Sequence, residues 1–371
     1  MRTTDSQSVE PAGPDEPRDV ADPAAQTVDV PPVVETAGRR STNRARRRLT
    51  DLLYSYSVLW ALIVECAVFS ILRPQSFFTT ANAQSLLGSQ AILLVVALGL
   101  TIPLAVNEFD LSVGAMVGFS EVILGTLTVQ QHWALIPAII ATLSLCACVG
   151  LINAILVVRV GVGAFIATLA MGTVLIGVAT KITNDEPITG IPQALVSFAS
   201  NTFLGIELVF WYGLAGTIVL WYVLSQTPLG RWLYFTGANR EAARLNGLPV
   251  GRLRGGALVA SAVVAGVGGV LYSGVFATAD PSTAQDQFLL PAFAAAFLGA
   301  TAVTPGRFNA WGTFISVYLV ITGIVGLSLV TNQVGWISFV FNGGILLVAV
   351  VVQRSVAARR GRIGAARAGD G

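Results

Sequence analysis

The sequence predicts an all-α integral membrane protein of about ten transmembrane helices, with both termini cytoplasmic. Three observations predict it. Hydrophobic residues are 54% of the 371 and charged residues only 11%, whereas a soluble chain carries about a quarter charged. From Asp51 to Gln353 the apolar residues gather into runs of roughly 17–25, the length that crosses a hydrocarbon core of about 30 Å. Basic residues also fall between these runs in an alternating order. Inside such a run the backbone must satisfy its own hydrogen bonds, which selects helix. The alternating segments of a membrane barrel are not seen.

The chain opens with a tail, residues 1–50. Acids dominate residues 1–38, among many prolines and few aromatics, which predicts disorder. Arg39, Arg40, Arg44, Arg46, Arg47 and Arg48 follow. No apolar stretch precedes them, so they do not form a cleaved signal. Beside a membrane span they read as an anchor to anionic lipid and not as a nucleic-acid patch. The membrane domain, 51–353, then holds candidate spans at 54–72, 86–106, 111–129, 134–158, 162–182, 206–224, 255–276, 287–303, 310–330 and 336–352. A basic tail, 354–371, closes the chain.

Charge tests the count. With the N-terminus inside, the chain crosses six times before 225–254. That stretch carries Arg231, Arg240, Arg244, Arg252 and Arg254 against the acid Glu241. Four further crossings return the basic tail to the same side, together with Arg159 and Arg307 in short turns. Asp185, Glu186, Asp280 and Asp286 fall outside. Arg73 and Lys181 are the exceptions, and both sit at span ends where a long side chain snorkels. The spans 86–106 and 111–129 are split only by Asn107-Glu108-Phe109-Asp110, either a tight turn or a broken helix lining a cavity.

Nucleotide chemistry is excluded from this chain. Its one lysine is Lys181 and no Gly-x-x-x-x-Gly-Lys-Ser/Thr run occurs. The one histidine, His132, has no partners for a zinc site or a Ser-His-Asp set, so no catalytic or metal-binding residue is assigned. Cys66, Cys146 and Cys148 all lie in apolar runs and read as packing residues.

The long basic loop contains its own short helix. Asn239 suits an N-cap, and Arg240 precedes Glu241 at the positive end of the turn. Ala242, Ala243, Arg244 and Leu245 favour helix, Asn246 and Gly247 end it, and Pro249 blocks continuation. Glu241-Ala242-Ala243-x-x-x-Gly247 resembles the EAA motif of ABC importer permeases. The run from Leu229-Gly230-Arg231 through Gly237 and Asn239 to Gly247 is similar to ribose-type sugar permeases. The usual downstream Ile-x-Leu-Pro is missing. Asp110-Leu111-Ser112-Val113-Gly114 resembles that family's Gly-Gly-Ile-Asp-Leu-Ser-Val-Gly. Phe165-Ile-Ala-Thr-Leu-Ala-Met-Gly-Thr173 resembles its Phe-Ile-x-Thr-Leu-Gly-Thr segment. Leu298-Gly299 through Gly306-Arg307 to Trp311-Gly312-Thr313 resembles its glycine-rich run, with Ala300 in place of the second glycine. The matches are in order and cover about 50–355.

The resemblance implies the permease subunit of a monosaccharide importer in the bacterial cytoplasmic membrane. A separate ATPase would hold ATP and Mg, and this chain would bind no cofactor. An extracytoplasmic solute-binding protein would meet loops 183–205 and 277–286, and a second permease copy or homologue would complete the path. Residues 239–244, 246 and 247 would then dock on the ATPase.

Polar residues within or beside spans are the candidates for the path: Gln90, Asn107, Asp110, Ser112, Glu121, Asn153, Thr168 and Asn342. For Gln90, Asn153 and Asn342 the alternative is hydrogen bonding between spans. Asp110 is expected to cap the span that follows it. Ala265, Gly269 and Ser273 form a small-residue stripe suited to close helix packing within the subunit. A proton-coupled secondary transporter using Glu65, Asp110 or Glu121, a branched-chain amino-acid permease, and a non-transporting scaffold or receptor remain the alternatives.

Overall fold

A helix that is apolar on every face has no surface to offer water, and it becomes the centre of its bundle. Ala91–Ala105 is such a helix: all but Ile102 of its fifteen residues are buried. The computed structural model describes residues 55–369 except 89, 281–283, 332 and 334. The acidic tail, its arginine block and the anchoring role expected of residues 1–50 lie outside the described residues.

In chain order the helices are α1 (Ser57–Leu72), α2 (Thr80–Leu87), α3 (Ala91–Ala105), α4 (Val113–Gly125), α5 (Leu135–Ile155), α6 (Ala164–Thr183), α7 (Gln193–Ser200), α8 (Leu208–Gln226), α9 (Pro228–Ala238), α10 (Arg240–Leu245), α11 (Val250–Phe276), α12 (Ala284–Gly299), α13 (Ala310–Thr331) and α14 (Gly335–Gly369). Single π-helical turns extend α4 over Thr126–Gln130 and α5 over Leu156–Val160. Four two-residue strands, β1 (Ile188–Thr189), β2 (Thr202–Phe203), β3 (Ile206–Glu207) and β4 (Thr278–Ala279), pair as β1 with β4 and β2 with β3, both antiparallel.

Among the described residues eight helical runs are long and apolar enough to cross a membrane. Two shorter apolar helices, Ser57–Leu72 and Gln287–Gly299, accompany them. All ten fall on the spans expected from the sequence. Most boundaries differ by one to three residues, and the seventh starts at Val250 in place of 255; two of the larger shifts have a visible cause. The second span starts at Ala91 in place of 86, because the chain turns at Gly88 between α2 and α3. The eighth ends at Gly299 in place of 303, where the Asn309 amide donates to the carbonyls of Gly299, Ala302 and Arg307 and its Oδ1 receives Gly312 N–H. A side chain that gathers those carbonyls ends the helix before the apolar run ends.

Helices α3, α4 and α11 form the inner layer. The outer faces of α5, α6, α8 and α14 expose large apolar side chains such as Ile140, Ile166, Val219 and Leu347, as lipid-facing surfaces do. Small residues let the inner helices touch. A Cβ at Gly269 would fall on the Ser120 hydroxyl and the Val117 carbonyl of α4, and one at Gly268 would meet Val96 of α3. Ala265 and Ser273 are fully buried, so the stripe packs within the chain.

Loops that the charge pattern assigns to one side meet at one end. Segment 225–254 contacts both 107–110 and 300–309 there; this is called the basic end below. At the opposite end β1–β4 ties loop 183–205 to loop 277–286. Also at that end, Arg73 donates to the Val330 carbonyl at 2.9 Å, giving one of the two charge exceptions a backbone partner.

Gly269→Leu should therefore lower stability by about 3 kcal/mol or more. Gly177→Leu, at a position on α6 where a Cβ meets nothing, should leave it unchanged. Thermal unfolding of the detergent-purified protein checks both.

Candidate functional site: the basic-end rod and the outer cavity

Thr227 starts the basic-end loop. Its hydroxyl accepts from Gly230 N–H and Pro228 occupies the first turn, so α9 forms directly after the end of α8. Gly230, Leu233 and Thr236 face inward, while Leu229, Trp232 and Phe235 stay exposed at three-residue spacing. Such an amphipathic stripe suits a helix lying along the membrane interface. A Cβ at Gly237 would strike the Ala105 carbonyl, so α9 rests against the end of α3.

Asn239 then caps α10 as expected, its Oδ1 accepting from Ala242 N–H at 3.0 Å. Gly247 follows the helix at φ 77°, a left-handed value that glycine adopts without cost. Ala243 is fully buried and seats the helix. Glu241, Arg244, Asn246 and Gly247 are exposed, and Leu245 is 80% exposed. The result is a short rod with one face seated and the other open.

What seats it was not legible in the sequence. Glu108 is only 3% exposed. Its carboxylate receives Arg240 Nη2 at 2.7 Å and Arg254 Nε at 2.5 Å, and Arg240 also donates to the Asn107 carbonyl at 3.0 Å. One acid thus joins the first residue of α10, the first turns of α11 and the break between α3 and α4. The overlooked signal was an acid placed among loops the charge rule makes basic. Leu245, a helix former by type, is also left exposed on the open face of the rod. A second tie lies nearby: the Tyr234 hydroxyl donates to the Phe308 carbonyl at 2.5 Å, under the Arg307 guanidinium. Burial pushes that hydroxyl's pKa up to about 12, with Arg307 pulling it down.

Five of the path candidates lie at the break itself. Asn107 adopts φ 58°, making a tight turn. Asp110 accepts from both Ser112 N–H (3.0 Å) and the Ser112 hydroxyl (2.5 Å), and Ser261 of α11 lies beside it. The carboxylate therefore organises the start of α4 as expected, although the N-cap residue itself is Ser112. Asn153 donates to Ser112 Oγ at 3.2 Å, while Thr168 receives Leu111 N–H at 2.9 Å and donates to the Ala164 carbonyl at 2.8 Å. Asp110, Ser112, Asn153 and Thr168 are all buried and bind each other or backbone, so they brace the break. Glu121 is buried elsewhere, beside the Asp280 backbone.

Gln90 and Asn342 do come together. They line a cavity of about 360 Å³ between α3, α11, α12, α13 and α14, with Tyr272, Gln287 and Ser338 and the rings of Phe276, Phe288 and Phe339. Asn342 is 5% exposed and its Oδ1 has no hydrogen-bond partner. The cavity lies toward the end opposite the rod, and among the described residues no charged side chain lines it. Amides, hydroxyls and aromatic faces without charge suit a neutral polyhydroxylated solute.

The family described as "Branched-chain amino acid transport system / permease component" matches residues 82–350, which includes the rod, the break and the cavity. The chain belongs to this family. It is thus a transport subunit and not an enzyme, a multi-pass protein of the bacterial cytoplasmic (inner) membrane. Similar relatives include the L-arabinose ABC transporter permease protein AraH of Azospirillum brasilense, 30% identical over 83% of this chain and 90% of the relative. The ribose import permease protein RbsC of Escherichia coli K12 is 30% identical over 84% and 97%. The D-allose transport system permease protein AlsC of the same strain is 26% identical over 81% and 92%. No solved structure matches this permease significantly.

Removing Glu108 would leave two guanidiniums of the permease unpaired. Glu108→Gln should cost about 1–3 kcal/mol. Arg254→Gln should cost more than Arg240→Gln, since their side chains are 18% and 44% exposed. Chemical denaturation of the purified protein ranks the three.

Proposed function

We propose that this permease is the membrane-spanning subunit of an ATP-driven importer. It carries a monosaccharide or related small polar solute into the cytoplasm by alternating access, through ten spans with both termini cytoplasmic. The observation that carries this reading is α10: a capped, glycine-terminated rod with an open face bearing Leu245, joined through Arg240 to the buried Glu108. Such a rod can receive a push from a partner and pass it to three spans. In this reading two ATPase subunits hold ATP and Mg and press on the exposed faces of α10 in two permease copies. A solute-binding protein delivers to the opposite end, where the β1–β4 pair joins the two outer loops.

The chemistry of the cavity bears on the substrate. An amino acid keeps an ammonium and a carboxylate, each of which is expensive to bury without a charged or strongly polar partner. The uncharged lining and the unpartnered Asn342 carbonyl favour hydroxyl groups instead. The family description favours the other reading, a branched-chain amino-acid permease. A proton-coupled carrier needs a carboxyl that water and solute reach. Of the carboxyls such a carrier would use, Asp110 and Glu121 are buried among packed helices, which favours the ATP-driven reading.

Proteoliposome uptake with the companion ATPase and binding protein tests the proposal, comparing ribose, arabinose and leucine. ATP-driven uptake of a sugar, insensitive to an uncoupler, is expected. Gly247→Phe should insert normally yet lose uptake, since a side chain at that φ costs about 1–2 kcal/mol and disturbs the rod's end. Uptake of leucine alone overturns the substrate class. Sugar uptake driven by an ion gradient without ATP overturns the mechanism.

A further inference from the structure

A second feature of the basic end stands apart from the rod. Between α5 and α11 runs a groove of about 1000 Å³, bounded by Leu151, Ile155, Val158, Val259 and Val263. Its floor is opened by glycine. Gly251 and Gly255 pack under Val158 and Ala154, and a Cβ at Gly256 would meet nothing within 4 Å. Along α11 it extends from Gly251 to Val264, about 20 Å of helix, which is longer than half of a hydrocarbon core of about 30 Å. Two guanidiniums, Arg159 and Arg252, line the same groove where α5 ends and α11 begins. Both are exposed, and among the described residues no acidic side chain lines the groove. Glu108 pairs with Arg240 and Arg254 instead, so neither rim arginine has an ion-pair partner among the described residues.

We propose that this groove is a binding site for one anionic phospholipid, with an acyl chain lying along α11 and the phosphate held by Arg159 and Arg252. Charge complementarity selects the occupant. The interior is apolar through one leaflet's depth, and positive charge sits at the level where a headgroup phosphate would lie. A second copy of the chain is a poor filler. A two-fold contact would set a concave surface against itself and bring four guanidiniums together. Arg252 lies two residues before Arg254, so an occupied site would border the root of the Glu108 tie.

Native mass spectrometry of the full-length permease, with phosphatidylglycerol and phosphatidylcholine of identical acyl chains, tests this. The wild type should hold one phosphatidylglycerol per chain that Arg159→Gln with Arg252→Gln loses, the affinity at that site falling about tenfold. Arg159→Lys with Arg252→Lys should retain it. Gly256→Leu, which fills the floor, should weaken both lipids alike. Equal retention of the two lipids by the wild type overturns the proposal, as does an unchanged phosphatidylglycerol count in the double Gln variant. Efficient cross-linking between copies through Gly256→Cys in membranes also overturns it, because a protein surface would then occupy the groove.

Discussion

Glu108 is held between guanidiniums that come from both ends of the rod's return path, and most of the basic end follows from that contact. A carboxylate this deeply buried is tolerated only while its charge stays paired and hydrogen-bonded. If either Arg240 or Arg254 withdrew, the other guanidinium alone would be left to pair it. The contact therefore links the rod, the first turns of α11 and the break between α3 and α4. The break is stiff in its turn, because Asp110, Ser112, Asn153 and Thr168 tie α4 to α5 and α6. In the proposed mechanism a rod docked only by apolar contact would slide, whereas one tied to a buried charge transmits.

Much of this fold was legible because bilayer physics is coarse. Runs of sufficient length become helices, and arginines in the loops order them, so ten apolar helices appear on the expected stretches. The boundary shifts at Ala91 and Gly299 came from backbone capture, by the turn at Gly88 and by Asn309, which hydropathy does not register. Local chemistry was also legible. Asn239 and Gly247 act within a few residues of their own positions, one through its side-chain oxygen and the other through its lack of a Cβ.

The long-range contacts were less legible, for a physical reason. Glu108 meets Arg240 and Arg254 across 132 and 146 residues of chain, and no periodicity records such a pairing. The same limit applies to the polar candidates. Ser112, Asn153 and Thr168 look like solute ligands by type and depth, yet each finds a partner inside the protein. Gln90 and Asn342 resemble them in sequence and differ only in what surrounds them, which is a cavity with aromatic walls. Tyr272, Gln287 and Ser338 entered that cavity without any sequence signal of their own.

The central claim is that work passes from α10 into the spans through the Glu108 carboxylate. A double-mutant cycle on Glu108→Gln and Arg254→Gln, read as solute moved per ATP hydrolysed in the reconstituted complex, tests it most directly. If the pair is the transmitting contact, the double variant should be no more uncoupled than either single one, because both break the same link. Losses that simply add, or variants that keep the wild-type ratio, would contradict the claim.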